Sequence, residues 1–291
     1  MIPKWGKSGI EALNPGQLIE MDGIQFSTGG VVANTGLSLK KLGIDTGLIG
    51  KIGDDEIGNL TLDVLREYDE NIVDNMIISS DETSSYTVVL NPENTDRIFL
   101  HYPGPNDTFS AADIDPGKVQ EAEIFHFGYP PLMKKMYENE GREVVEIFKK
   151  IREKNLITSL DMAMPDPERK SGKVDWKKIL KNVLPQVDIF LPSIEEILYM
   201  LGYNPDTEIK ELDIDFLEEI GNKLMQMGVK ILIIKLGEQG IYLQTDNING
   251  NSPLTNIIDP VCWSEVYYHS PCFKTEVKGT TGAGDAATAG F

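Results

Sequence analysis

Lys278-Gly279-Thr280-Thr281-Gly282-Ala283-Gly284-Asp285-Ala286-Ala287 reads as a strand-to-helix turn. Before it, Phe273-Lys274-Thr275-Glu276-Val277-Lys278 alternates apolar and polar residues, as a strand does. After it, the run from Ala286 to Ala289 favours a helix. The small residues Gly282, Ala283 and Gly284 let a backbone approach a ligand closely, and the free N–H groups of a helix start attract an anion. Three chemistries use such a turn. A Walker-type phosphate loop needs Lys and then Ser or Thr after its last glycine; Asp285 stands there instead, so that reading fails. Gly282-x-Gly284-x-x-Ala287 fits a dinucleotide fingerprint, which also needs a βαβ unit and an acidic residue about twenty positions on. Residue 291 is the last, so that reading fails too. The third is phosphoryl transfer, in which the amides stabilise charge on the moving group and Asp285 takes the proton of an attacking hydroxyl. A glycine-rich turn with Asp285 as a helix N-cap is the structural alternative, and this stretch alone leaves the two side by side.

The 291 residues suffice for one large α/β domain or two smaller ones, and 41% apolar residues are ample for a core. The formal charge is −19, with no basic block to offset it, which argues against nucleic acid or an anionic membrane as partner. Cys262 and Cys272 are the chain's two cysteines. Together with the lack of a secretory signal they suggest a reducing cytoplasm and no disulfide framework. His101, His126 and His269 are far apart and lack metal-ligand spacing. His126, within Glu123-Ile124-Phe125-His126-Phe127, reads as a satisfied strand histidine. No apolar run has the length of a membrane span.

Near the other end, Ser27-Thr28-Gly29-Gly30-Val31-Val32-Ala33-Asn34-Thr35-Gly36 leads into Leu37 to Gly43, a helix closed by Gly43. The diglycine permits a sharp entry and a hinge. Asn34 lies one turn in, where its amide offers donor and acceptor to a polyol; an exposed loop-to-helix junction is the plainer reading. Thr46 to Gly50 reads as a strand, and Lys51 to Gly58 as a loop into a helix. Met76-Ile77-Ile78, Tyr86 to Leu90 and Arg97 to Leu100 are strand-like runs separated by turns, one of them Asn91-Pro92-Glu93-Asn94. With no helices between them they predict an antiparallel sheet set apart from the body. Arg97 and Asn106 could reach a ligand from that region, although a solvated charge is the plainer reading of a charged strand residue.

From Glu123 onward strands and helices alternate. Strands are expected at Ile124 to Phe127, Leu156 to Leu160, Val187 to Leu191 and Lys230 to Ile234, with a hairpin from Gly240. Helices are expected near Glu140 to Lys154, from Asp175-Trp176, from a Ser193 cap to Leu201, and near Asp215 to Met227. Residues 246–272 read as loop. Such alternation predicts a doubly wound, largely parallel sheet. Asp161, Glu196, Lys235 and Asp285 then lie at the carboxyl ends of its strands, where such folds bind ligands.

The two glycine stretches, in this order and so far apart, resemble the two signatures of the ribokinase (PfkB) family of carbohydrate kinases. The C-terminal stretch is similar to one of them at Thr280, then, after one variable position, Gly282-Ala283-Gly284-Asp285, and finally Ala289-Gly290-Phe291. The N-terminal stretch is similar to the other at Gly29-Gly30, Asn34, Gly43 and Gly53. The resemblance covers nearly the whole chain and implies a ribokinase-like domain over residues 1–291. It also implies a small antiparallel β lid, formed by parts of about 8–28 and 74–103, on a body of about 29–73 and 104–291. It implies ATP-dependent phosphorylation of a sugar or sugar-derived hydroxyl with Mg²⁺. A nucleoside kinase shares these signatures, and a catalytically impaired sugar-binding fragment is the non-enzyme alternative.

Carried over by position, Asp285 is the implied base and Gly282, Ala283 and Gly284 the anion hole. Gly29, Gly30, Asn34, Arg97 and Asn106 are the implied substrate side. Lys235-Leu236-Gly237-Glu238-Gln239-Gly240 resembles a nucleotide-side loop, which makes Lys235, Gly237, Gly240 and Thr281 the implied cofactor side. Pro192-Ser193-Ile194-Glu195-Glu196 resembles the family's Asn-x-x-Glu motif, so Glu196 would organise Mg²⁺ through water. Gly279 replaces an Asp associated with a monovalent-cation site, which puts that site in doubt. Val32, Gly36, Ser193 and Ala287 are further departures. Met1-Ile2-Pro3 begins just after the family's usual first strand, and the chain stops where the family adds adenine-pocket elements, so this piece alone is expected to be a poor enzyme. An exposed lid sheet offers an edge to a second copy, a homodimer through the lid.

Overall fold

A computed structural model describes residues 15–16, 18, 20–91, 97–205, 212–248, 250, 252–274, 276 and 282–291. Gly29 opens α1 (Gly30–Lys41), and Gly30 takes φ +76°, a conformation that favours glycine. Strand β1 (Lys51–Gly53) follows, then α2 (Glu56–Arg66), capped by the Asp55 carboxylate, which accepts from Gly58 N at 2.8 Å. Next come β2 (Ile77–Ser79), β3 (Tyr86–Leu90) and β4 (Ile98–Tyr102). The body continues with β5 (Ile124–Phe127), α3 (Arg142–Arg152), β6 (Ile157–Leu160), α4 (Trp176–Val183), β7 (Ile189–Phe190), α5 (Ile194–Leu201) and α6 (Ile214–Met225). Strands β8 (Ile231–Lys235), β9 (Ile241–Thr245) and β10 (Tyr267–Ser270) and helix α7 (Ala283–Gly290) complete the order, apart from short single-turn helices.

The main sheet runs β10-β9-β8-β7-β6-β5. Its strands β5 to β8 are parallel, and β9 and β10 are each antiparallel to their neighbours. The expected doubly wound, mostly parallel α/β architecture is therefore present. One sheet face carries Phe125, Phe127, Leu160, Phe190, Leu232 and Ile234 into a core shared with α3, α4, α5 and α6. The face of α3 holds Val144, Ile147, Phe148 and Ile151, all essentially inaccessible, because their spacing puts them on one stripe. The opposite sheet face buries Ile157, Ile189, Leu191, Ile231 and Ile233 with Ile248 and Leu254. A separate small core joins α1, α2 and β1 through Leu37, Leu48, Ile52, Leu62 and Leu65.

Four local expectations are corrected. Thr46 to Gly50 is not a strand; single bonds from Leu48 N to Ile72 O and from Ile77 N to Gly50 O satisfy it, and the strand begins at Lys51. Ile77–Ser79 leaves the antiparallel group and pairs parallel with β1, so β3 and β4 form a two-stranded ribbon by themselves. Residues 246–272 are not all loop, since β10 adds an edge strand; its Tyr267 and Tyr268 are more than half exposed, so burial leaves no alternation to read. Phe273, Lys274 and Glu276 are not in a strand, and the rest of the expected strand from Phe273 to Lys278 lies outside the described residues, as do Gly279, Thr280 and Thr281. Among the described residues no helix is long and apolar enough to cross a membrane.

Candidate active site

Gly282 is the N-cap of α7, at φ +76°. The helix opens without a side-chain cap, so its first amides keep no partner from that source. Asp285 is the third residue of the helix and is 3% exposed. It does not cap the helix it starts, which removes the N-cap alternative. Its carboxylate instead turns toward α1 and the end of β5. Oδ2 accepts from Asn34 Nδ2 at 2.9 Å, and Oδ1 accepts from Thr35 Oγ1 at 3.2 Å and from the Tyr129 hydroxyl at 2.7 Å. Helices α1 and α7 pack together, which brings two signatures 250 residues apart into one hydrogen-bonded cluster. An ionised carboxylate has about four acceptor sites. Among the described residues three are taken, and the one left is on Oδ2.

The parallel strands deliver the other groups from their carboxyl ends. Asp161, just beyond β6 and 1% exposed, accepts at Oδ1 from Lys235 Nζ at 2.6 Å and Met162 N at 2.7 Å, and at Oδ2 from Thr288 Oγ1 at 3.3 Å. Burial pushes its carboxyl above the usual range, against the pull of Lys235. Lys235 ends β8, where its N–H donates to Pro192 O at 2.9 Å. A β-carbon on Gly284 would lie 3.7 Å from Lys235 Nζ, so the ammonium sits beside the α7 amides. Glu196 belongs to the capping box of α5: its Oε2 accepts from Ser193 N at 2.7 Å, and its N–H donates to Ser193 Oγ at 3.3 Å. Burial raises the Glu196 carboxyl too. Sequence reasoning placed Asp161, Glu196, Lys235 and Asp285 at one edge, and the structure gathers all four there.

A cleft of about 2680 Å³ lies beside this cluster and is lined by Gly29, Gly30, Asn34, Arg97, Asn106 and Tyr129. The β3–β4 ribbon turns Thr87, Val89, Phe99 and His101 toward it, with the Arg97 guanidinium 5.6 Å from the Phe99 ring centre. Gly237 and Gly240 form the β8–β9 turn. Gly240, at φ +100°, has a packing reason of its own, because a β-carbon there would strike Ser270 O. Thr281 lies outside the described residues.

Two residues escaped the sequence reading, and a third, His126, differs from it. Thr35 and Tyr129 hold Asp285, and no local pattern marks either one. His126 faces Ser159 across β5 and β6, with Nδ1 and Ser159 Oγ 2.9 Å apart. It is only half satisfied, because its buried Nε2 has no partner among the described residues. Burial lowers its pKa to about 4, helped by Lys235 and opposed by Asp285, so the ring is neutral.

The donor chemistry fits a nucleotide with Mg²⁺. Uncapped amides and a neighbouring ammonium suit phosphate oxygens. Among the described residues no three His, Cys, Asp or Glu side chains could hold a metal alone. Mg²⁺ characteristically keeps waters and substrate phosphates in its shell with one or two carboxylates, which Glu196 Oε1 can serve.

A pfkB family carbohydrate kinase sequence profile matches residues 6–291. An uncharacterized sugar kinase of Archaeoglobus fulgidus is 30% identical over 255 residues, covering 88% of this chain and 84% of that protein. A probable fructokinase-2 of Arabidopsis thaliana is 26% identical over 274 residues, covering 92% and 72%. Among solved structures, Arabidopsis thaliana ribokinase complexed with ribose and ATP aligns with 99% of this chain and 78% of its own at a TM-score of 0.67 and 19% identity. Thermotoga maritima ribokinase aligns with 95% and 79% at 0.64 and 21%. With its ribokinase-like fold, its two signatures joined at Asp285 and a family match over nearly its whole length, this chain belongs to the PfkB family of carbohydrate kinases.

Proposed function

We propose that the chain transfers the γ-phosphoryl group of ATP to a hydroxyl of a sugar or sugar derivative, with Asp285 as general base. The observation that carries this reading is the buried Asp285 carboxylate. It sits in the first turn of a helix without a side-chain cap and is held by three neutral donors, Asn34, Thr35 and Tyr129, which all line the cleft. The acceptor hydroxyl docks on the remaining Oδ2 site and gives its proton to Asp285 as its oxygen bonds to the γ-phosphorus. The bond to the β-phosphate oxygen breaks and ADP leaves. The amides of Gly282, Ala283 and Gly284 form the anion hole for the charge on the moving group. Mg²⁺, when bound, would neutralise phosphate charge, and Glu196 would be the residue to hold it through water.

On the substrate side stand Gly29, Gly30, Asn34, Arg97 and Asn106. Asn34 gives Nδ2 to the base, so Oδ1 is the atom left for a sugar hydroxyl. Lys235, Gly237, Gly240 and Thr281 are the nucleotide side. The β3–β4 ribbon acts as lid. Leu100 and Tyr102 lie on its outer face and are 47% and 42% exposed, which supports a second copy as the cover. The cytoplasm is the proposed compartment.

The test is Mg²⁺-dependent ADP release with a panel of sugars, sugar acids and ribonucleosides. Asp285→Asn should lower kcat by about 10²–10⁴-fold with the active substrate. Turnover at the wild-type rate in that variant would remove Asp285 as the base, and a response to ribonucleosides alone would replace the sugar.

A further inference from the structure

We infer that Tyr129 is a positioning residue for the phosphoryl-acceptor base: its phenol fixes the aim of the Asp285 carboxylate. The inference rests on the reading of Asp285 as base. Tyr129 directly follows β5 and Gly128, and it adopts φ 63°, ψ 41°. A bulky residue in this left-handed region carries strain of about 1–3 kcal/mol, which persists where the surroundings over-determine it. They do so here. A β-carbon on Gly128 would meet Val31 Cγ2 at 2.5 Å, so α1 lies against this backbone. Tyr129 N–H donates to Asp161 O at 3.3 Å, and its carbonyl accepts from Leu132 N at 2.9 Å. The backbone is thus tied to the β6 end, and the side chain points into the site.

The Tyr129 hydroxyl makes the shortest of the three bonds to Asp285, at 2.7 Å. Asn34 and Thr35 reach the carboxylate from α1, and Tyr129 reaches it from the sheet. Donors from two elements prevent the carboxylate plane from rotating, which two adjacent donors on one helix would not. Burial, and then the bond to Asp285, hold the phenol neutral and far above its ordinary range. It therefore stays a hydrogen-bond donor to the carboxylate.

The other titrating groups facing this cluster are few. His126 from β5 is neutral. Asp161 beyond β6 is paired with Lys235 from β8. Glu196 from α5 acts on Tyr129 through its charge.

The experiment is steady-state kinetics of the whole chain, with the melting temperature measured in parallel. In Tyr129→Phe, kcat should fall about tenfold at unchanged KM. Replacing Tyr129 by 4-fluorophenylalanine keeps the ring and fills the place of the hydroxyl without a donor, so the same loss of kcat is expected; this arm stands if the Phe variant does not fold. Wild-type kcat in either folded variant, whatever its melting temperature, would overturn the inference while leaving the base intact. Full turnover by Asp285→Asn would overturn the reading on which it rests.

Discussion

Replacing Lys235 by methionine would take the cation from a carboxylate that water barely reaches. Nζ lies 2.6 Å from Asp161 Oδ1, and the two side chains are 13% and 1% exposed. At an effective dielectric of 20, the direct attraction is roughly 6 kcal/mol. Desolvation of both charges offsets much of that, and breaking one side of such a pair costs about 3–5 kcal/mol. Asp161 keeps the Met162 N–H and the Thr288 hydroxyl, so the lower end of that range, about 3 kcal/mol, is expected. In a chain of this size that is a fall in Tm of roughly 6–12 °C.

The loss should also depend on pH. Burial already raises the folded-state pKa of Asp161 above its unfolded value, and removing Lys235 raises it further. The folded chain then holds a proton that the unfolded chain releases. Stability from this group is fully present below the unfolded carboxylate pKa and is lost as pH rises through the folded one. Thermal unfolding followed by circular dichroism at pH 5, 6, 7 and 8 should therefore show Lys235→Met least damaged in acid and most damaged at pH 8. Asp161→Asn in the same background should recover most of the loss, because no charge is left unpaired. A loss that is flat with pH and untouched by Asp161→Asn would refute the argument.

Ser193→Ala removes the hydroxyl that receives Glu196 N–H, and chemical denaturation should show a loss of about 1 kcal/mol. Gly128→Ala places a methyl against the branched Val31 side chain, 2.5–2.9 Å from three of its carbons, so α1 must move. Its stability should drop by about 1–3 kcal/mol, and kcat should fall because Asn34 and Thr35 ride on that helix. Val31→Ala should rescue both in a urea and kinetic assay, and a failure to rescue would place the cost elsewhere.

The body is readable because its signals are local. Val144, Ile147, Phe148 and Ile151 carry a helical period, and Ile231 to Ile234 are continuously apolar because both sheet faces are covered. Ser193 and Glu196 announce a capping box by spacing alone. Tyr267–Ser270 is not readable, because an exposed edge strand has no burial alternation to display. Ile77–Ser79 has the same pattern whether its partner is parallel or antiparallel, and only β1 beside it decides.

The sequence by itself determined the α/β class, the two glycine turns and the edge at which Asp161, Glu196, Lys235 and Asp285 meet, since strand polarity and chain order are sufficient for that. Only the tertiary structure decided what Asp285 touches. Asn34, Thr35 and Tyr129 reach it across separations of 251, 250 and 156 residues. Their geometry depends on how α1, α7 and the β5 end pack, and neither composition nor periodicity encodes the direction in which a side chain emerges at such a crossing. At the Gly282-Ala283-Gly284-Asp285 turn, the residues supplied a carboxylate and open amides. The packing made that carboxylate buried and oriented, held by three residues that line the cleft.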